Sequence, residues 1–328
     1  MNIISLFAGA GGLDRGFENA GFKVIWANEY DKTIWETYRH NHPETILDTR
    51  SIKDVKEEEI PSEAEGLIGG PPCQSWSLAG AMRGIDDDRG QLFFDYLRIL
   101  KSKQPKFFMA ENVPGMISKR HIGNFLKIKE MFEECGYEVS YELLNAWDFG
   151  IAQERKRVII VGYRKDLNKV FDFQNLEKIE KPLVLGDILK DLPEPLPALE
   201  KNKTNGDSLE IPNHEYFIGG FSTIYMSRNR RRTWEEPSFT IQAGGRHAPI
   251  HPASCPMEKL EKDKWEFVGE DYRRLSVREC ARIQGFPDNF KFIYSNVADG
   301  YKMVGNAVPV KLAEVIAKQI KKDLIEYF

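Results

Sequence analysis

NIISLFAGAGGLDRGF, residues 2–17, sets a short apolar run (3–6) against a glycine cluster (7–16) that leads into helical sequence. A β-rich run, a glycine-rich turn and a helix in succession make the opening unit of an α/β sheet. The alternation continues through the first half of the chain. Strands are predicted at 23–27, 66–68, 106–110, 139–144 and 158–161, with amphipathic helices at 31–39, 90–101 and 124–134. This order predicts a doubly wound, Rossmann-like α/β domain. From about residue 165 the pattern breaks into KDLPEPLPALEKNKTNG (190–206) and short irregular pieces, the signature of a smaller, loop-rich second domain. Regular helix returns near Val277 and again over 310–326. The expected division is 1–178 and 179–298, with 299–328 returning to the first domain.

A chain of 328 residues with 41% hydrophobic content has room for one large core and a smaller one. No apolar run approaches the roughly 20 residues that span a bilayer, and the N-terminus lacks a basic, long-apolar leader, so a cytoplasmic location without membrane contact is expected. The four cysteines are scattered (Cys73, Cys135, Cys255, Cys280), with no paired or His-flanked spacing, so neither a disulfide framework nor a metal site is expected. A net charge of −4 argues against a chain coated in nucleic acid but leaves room for a local basic face.

The glycine turn invites close backbone approach by a ligand, and Glu29, at the tip of the next strand, is placed for ribose hydroxyls. Asp14 stands in the first helical turn, where a pyrophosphate would sit, and its charge would repel one. A cofactor with adenosine and no phosphate, such as S-adenosylmethionine, avoids that conflict and disfavours an NAD oxidoreductase. GLIGGPPCQSWS (66–77) then presents Cys73 on a stiff diproline at a strand end, with Gly69 and Gly70 expected to clear the way for a ligand. Glu111 closes the next strand, and Arg155 and Arg157 follow in QERKRV. A nucleophile, an acid and an oxyanion clamp would thus converge at one edge.

FAGAGG (7–12), GGPPCQSWS (69–77), ENV (111–113), QERKRV (153–158), RECARIQGFPDNF (278–290) and YKMVGNAVP (301–309) follow one another in the order of the motifs of DNA cytosine-5 methyltransferases, which the chain resembles over nearly its whole length. The resemblance implies that Cys73 adds to C6 of a flipped-out cytosine, with Glu111 at the N3 edge and Arg155 and Arg157 at O2. Loop 77–90 would be the lid. It implies a site for S-adenosylmethionine (leaving as S-adenosylhomocysteine) made by Phe7, Gly9, Gly11, Glu29, Tyr30, Pro72, Leu92, Asn306 and Val308. Where the family carries an acidic residue toward adenine, this chain has Ser51, with Asp48 and Asp54 nearby.

The second domain would then recognise the target in double-stranded DNA. NKTNG, IPNHEYFIG, STIYMSRNR and FTIQAGGR resemble the variable region of bacterial GGCC-specific modification enzymes, implying methylation of the inner cytosine and a restriction–modification setting with a cognate endonuclease. Arg228, Arg230 and Arg246 are the expected guanine readers, Arg232 a phosphate clamp, and Ile224 an apolar wedge. A monomer needing no obligate protein partner is expected. A tRNA methyltransferase and a non-catalytic DNA-binding regulator are the alternative readings. The first is disfavoured by the Arg-rich insert and the second by Cys73, Glu111 and Arg157 standing together.

Overall fold

The computed structural model describes residues 1–71 and 88–327, with side chains from Leu92 onward in the second stretch. Cys73, Pro72 and the expected lid at 77–90 therefore lie outside the described residues, apart from the backbone of the helix that begins at Asp88. The chain divides into two compact units. The first holds Met1–Asn145, Lys156–Glu177 and the chain from Leu312; the second holds Ala146–Arg155 and Lys178–Lys311.

The first unit is built on a seven-stranded sheet of order β3-β2-β1-β4-β5-β7-β6. Its strands are β1 (Asn2–Leu6), β2 (Lys23–Asn28), β3 (Ile46–Asp48), β4 (Gly66–Gly69), β5 (Phe107–Asn112), β6 (Tyr137–Asn145) and β7 (Lys156–Arg164). The first five run parallel, whereas β7 is antiparallel to both its neighbours. Helices α1 (Gly12–Asn19), α2 (Trp35–Asn41), α3 (Asp88–Lys103) and α4 (Ile122–Glu134) connect them. The doubly wound expectation is met. β4 and the first four residues of β5 are wholly buried, which is why these strands read as unbroken apolar runs and not as an alternation. The edge strand β3 has no such run; its Ile46 is exposed and no sequence pattern announces it.

Register sets the working edge. Leu6 lies beside Asn28 and Gly69, Asn28 beside Asp48, and Gly69 beside Ala110, so Phe7, Glu29, Gly70 and Glu111 emerge at one end of the sheet. Because β7 runs the other way, its first residues arrive at that end too, and Val158 pairs with Asn112.

In the second unit, short strands β8 (Leu196–Pro197) and β9 (Glu215–Tyr216) pair in parallel, and β10 (Met257–Glu261) and β11 (Lys264–Phe267) form a hairpin. Helices α5 (Leu185–Leu189), α6 (Val277–Ile283) and α7 (Val297–Asn306) accompany them. Buried arginine takes over here from sheet ladders. Arg278 in α6 donates to the carbonyls of Pro212 (2.9 Å) and Phe290 (2.8 Å), and a Ser276–Glu279 capping box fixes the helix start. Helix α7 falls where the return to the first domain was expected, yet it belongs to the second unit: Tyr301 donates to Leu275 O (2.5 Å) and accepts from Phe217 N (3.2 Å). These bonds move the start of the return from residue 299 to Leu312, early in α8 (Val310–Leu324). Among the described residues, no helix is long and apolar enough to cross a membrane.

Candidate functional site

At the sheet edge of the first unit, the backbone leaves β1 through three left-handed residues, Phe7 (φ 55°), Gly9 (φ 56°) and Gly11 (φ 86°). Gly11 is required twice over. Its φ disfavours any side chain, and a Cβ there would lie 2.2 Å from Nε2 of the buried His42. Beside Gly9, by contrast, a Cβ would meet nothing within 4 Å, leaving open space at the loop. Glu29 reaches the same loop: one carboxylate oxygen accepts from Gly9 N (2.9 Å) and the other from Asp31 N (2.7 Å). Tyr30, next to it, is 71% exposed, and Leu92 is half-buried.

Asp14 does not act as the sequence suggested. It is fully buried, accepts from Ser5 Oγ (2.6 Å) and Tyr38 OH (2.5 Å), and its carboxyl is pushed above the usual aspartate range by burial. Buried and held by two hydroxyls, its carboxylate is not presented to a ligand, so repulsion of a phosphate is not its role. Near the third strand's end, Asp48 is engaged by Arg50 (2.6 Å) and Ser51 stands before a 3-10 turn at Ile52–Asp54 without making a side-chain capping bond.

Glu111 and Arg157 meet as the antiparallel β7 predicts, with Arg157 Nε 2.7 Å from a Glu111 carboxylate oxygen and both side chains only 12–13% exposed. Gly70 abuts this pair; a Cβ on it would sit 3.3 Å from Glu111 Oε2. Asn112 donates to Pro71 O (3.0 Å), which fixes the chain two residues before Cys73. Gly69 and Gly70 therefore make room for protein, a Cβ on Gly69 falling 2.5 Å from Leu6 O.

Arg155 does not share that clamp. It is buried at 1% exposure and donates to the carbonyls of Ile241 (3.0 Å), Gly305 (2.9 Å) and Ala307 (3.0 Å). The two arginines are two apart and would point alike on a continuous strand, but β7 begins at Lys156, so Arg155 lies outside the alternation.

The C-5 cytosine-specific DNA methylase family matches residues 1–322. The chain belongs to this family. The methyltransferase is 58% identical over 327 residues to the Type II methyltransferase M.MthTI of Methanothermobacter thermautotrophicus, covering 99% of this chain and 98% of the relative. It is 57% identical to the Type II methyltransferase M.NgoPII of Neisseria gonorrhoeae, covering 99% and 96%. In fold it is similar to DNMT2 of Spodoptera frugiperda, with a TM-score of 0.69 at 19% identity over 98% of each chain. As a cytosine-5 DNA methyltransferase it is an enzyme, and DNA is its substrate.

The second unit of the methyltransferase sorts its arginines by exposure. Arg228 and Arg246 are exposed, as are Gln242 and His247. Arg230 is braced: it donates to Tyr225 O (2.7 Å) and Ile224 O (3.0 Å), stacks over Tyr225, and burial followed by Arg228's charge lowers its pKa. It still lines, with Arg228, Gln242 and His247, a cleft of about 300 Å³. Arg232 is not available as a simple phosphate clamp, being paired with Glu154 (2.6 Å) and Glu236 (2.9 Å) over the ring of Phe239. Ile224 is 75% exposed on the turn that Arg230 supports. Arg274, which no sequence pattern singles out, holds the preceding loop through Gly219 O (2.9 Å) and Gly220 O (3.0 Å). Asn306 is exposed at the end of α7, and Val308 is buried just after it.

Proposed function

We propose that the enzyme methylates the inner cytosine of GGCC in duplex DNA through a covalent Cys73 adduct, as the modification half of a restriction–modification system. The observation that carries the chemistry is the Glu111–Arg157 pair beside Gly70 and Pro71 at the sheet edge. A stacked cytosine cannot reach a buried carboxylate, so the base leaves the duplex. The Cys73 thiolate adds to C6, making C5 nucleophilic, while Glu111 supplies a proton at the N3 edge and Arg157 binds O2. After the methyl bonds to C5, a base removes the C5 proton, the C6–S bond breaks to release the thiolate, and N3 returns its proton to Glu111. Arg155 is not assigned a contact with the base.

S-adenosylmethionine fits the other part of that edge. Open space at Gly9, a carboxylate at Glu29 and an exposed aromatic ring at Tyr30 suit ribose hydroxyls and an adenine face. The cofactor supplies an electrophilic methyl when bound. Phe7, Gly9, Gly11, Glu29, Tyr30, Pro72, Leu92, Asn306 and Val308 are the residues proposed to hold it. Glu29→Ala is expected to weaken this binding by ~1–3 kcal/mol, the worth of charged hydrogen bonds. DNA affinity should change far less. Calorimetry giving the wild-type cofactor affinity for the variant would remove Glu29 from the site.

The exposed Arg228 and Arg246 are proposed to read guanine O6 and N7 in the major groove, with Arg230 beside them and Ile224 as the wedge. Each bidentate contact discriminates by ~1–3 kcal/mol, so Arg246→Ala should lower methylation at GGCC relative to sites with one altered guanine. Bisulfite sequencing of plasmid from expressing cells, with tRNA sequenced in parallel, checks this. Methylation at a different motif ends the GGCC assignment, and methylation confined to tRNA ends the DNA one. The enzyme is proposed to act as a cytoplasmic monomer paired with a cognate endonuclease.

A further inference from the structure

Three buried polar side chains of the second unit take no part in the chemistry above. Gln153 and Gln284 are 0% exposed and Arg155 1%. Gln153 Oε1 accepts from Ile241 N (2.8 Å), while Arg155 donates to Ile241 O (3.0 Å). Both backbone polar groups of one residue are thus satisfied by side chains from a single tripeptide. Gln153 Nε2 donates to Gln284 Oε1 (2.9 Å), and Gln284 Nε2 donates to Val304 O (2.8 Å). Arg155 completes the circuit through Gly305 O (2.9 Å) and Ala307 O (3.0 Å). The two held segments also touch. A Cβ on Gly305 would lie 2.3 Å from the carbonyl of Gln242 and 2.5 Å from Ala243 N, so that peptide rests on the glycine itself.

We propose that Gln153, Arg155 and Gln284 are positioning residues that lock the QAGGR loop to the GNAVP loop, so that target discrimination and cofactor binding depend on one buried clamp. The proposal rests on the assignment, made above, of Arg246 to guanine and of Asn306 and Val308 to the cofactor. Ile241 stands five residues before Arg246, and the clamped carbonyls of Gly305 and Ala307 flank Asn306. Ile241 lies outside any strand, and Val304 and Gly305 close α7, whose last carbonyls have no further helical donors, so these side chains anchor the end of that helix to the QAGGR loop. In a buried network, removing one member strands its partners without water to replace it, and the remaining bonds weaken together.

Arg155→Lys keeps the charge but cannot span three carbonyls. In the full-length variant, hydrogen exchange read by mass spectrometry should show protection falling together in peptides covering 241–246 and 304–308, with β5 unchanged. The ratio of turnover at the preferred site to turnover at one-guanine variants should fall, and the dissociation constant for S-adenosylmethionine should rise, each about tenfold. A change in the fraction folded moves neither the ratio nor the dissociation constant, so a merely structural role predicts no change in either. Gln153→Glu keeps the acceptor for Ile241 and should retain more discrimination than Gln153→Leu; it also carries the measurement if Arg155→Lys does not fold. Loss of protection in one loop alone, or unchanged discrimination and cofactor affinity in a folded Arg155→Lys protein, overturns the clamp. Absence of DNA methylation by the wild type would overturn the proposed function instead, leaving the exchange result to decide the clamp.

Discussion

Cys73→Ser is expected to lower methyl transfer on the order of 10⁴-fold or more, the scale of losing a covalent nucleophile. The thiolate is the reactive form of cysteine, and a serine hydroxyl is far harder to ionise. Cofactor affinity should persist, because the sulfur acts after both ligands are bound. The decisive measurement is trapping on DNA carrying 5-fluorocytosine at the preferred site, where fluorine blocks loss of the C5 substituent and leaves the adduct in place. Wild-type protein should form a complex that survives denaturation and Cys73→Ser should form none. A trapped complex in the variant would move the nucleophile elsewhere.

The second large effect concerns the acid. Glu111→Gln preserves shape but replaces the carboxylate beside Arg157 (2.7 Å) with a neutral amide that cannot donate and recover a proton at the N3 edge. Single-turnover methylation should slow by roughly 10²–10⁴-fold, the range for positioned proton transfer. Arg157→Lys should also slow the reaction, since an ammonium cannot reproduce the planar contact of a guanidinium with both the carboxylate and O2. In both variants the dissociation constant for S-adenosylmethionine should hold within about twofold, a shift of less than half a kcal/mol. A wild-type single-turnover rate in Glu111→Gln would take Glu111 out of the chemistry.

The two arginines of QERKRV show how far a motif carries a role. Arg157 meets Glu111 as its type and position suggested, whereas Arg155, equally basic and two residues away, is turned into a buried web of carbonyls. A motif names residue types; it does not mark where a strand begins. The run RNRRR behaves likewise. Its composition announces a basic face, yet only Arg228 among its four arginines is exposed, because Tyr225 O, Pro252 O, Glu154 and Glu236 take up the others.

The chain by itself determined the sheet and its working edge. Apolar runs such as GLIG and FFMA are long enough to bury strands on both faces, and glycine clusters and carboxylates placed just after such runs must emerge at the strand ends. The six motifs indicated the family because their residue types and order along the chain are read directly from the sequence. Tertiary structure alone decided the edge strand Ile46–Asp48, which has no pattern of its own, and the allegiance of Val297–Asn306 to the second unit, set by Tyr301 bonding to Leu275 and Phe217. It also decided which polar side chains face inward. Asp14, Arg155 and Gln284 find partners 9 to 152 residues away in sequence, and burial of a charge or an amide is tolerated only where such partners converge. That convergence is a property of the folded chain, which no local pattern encodes.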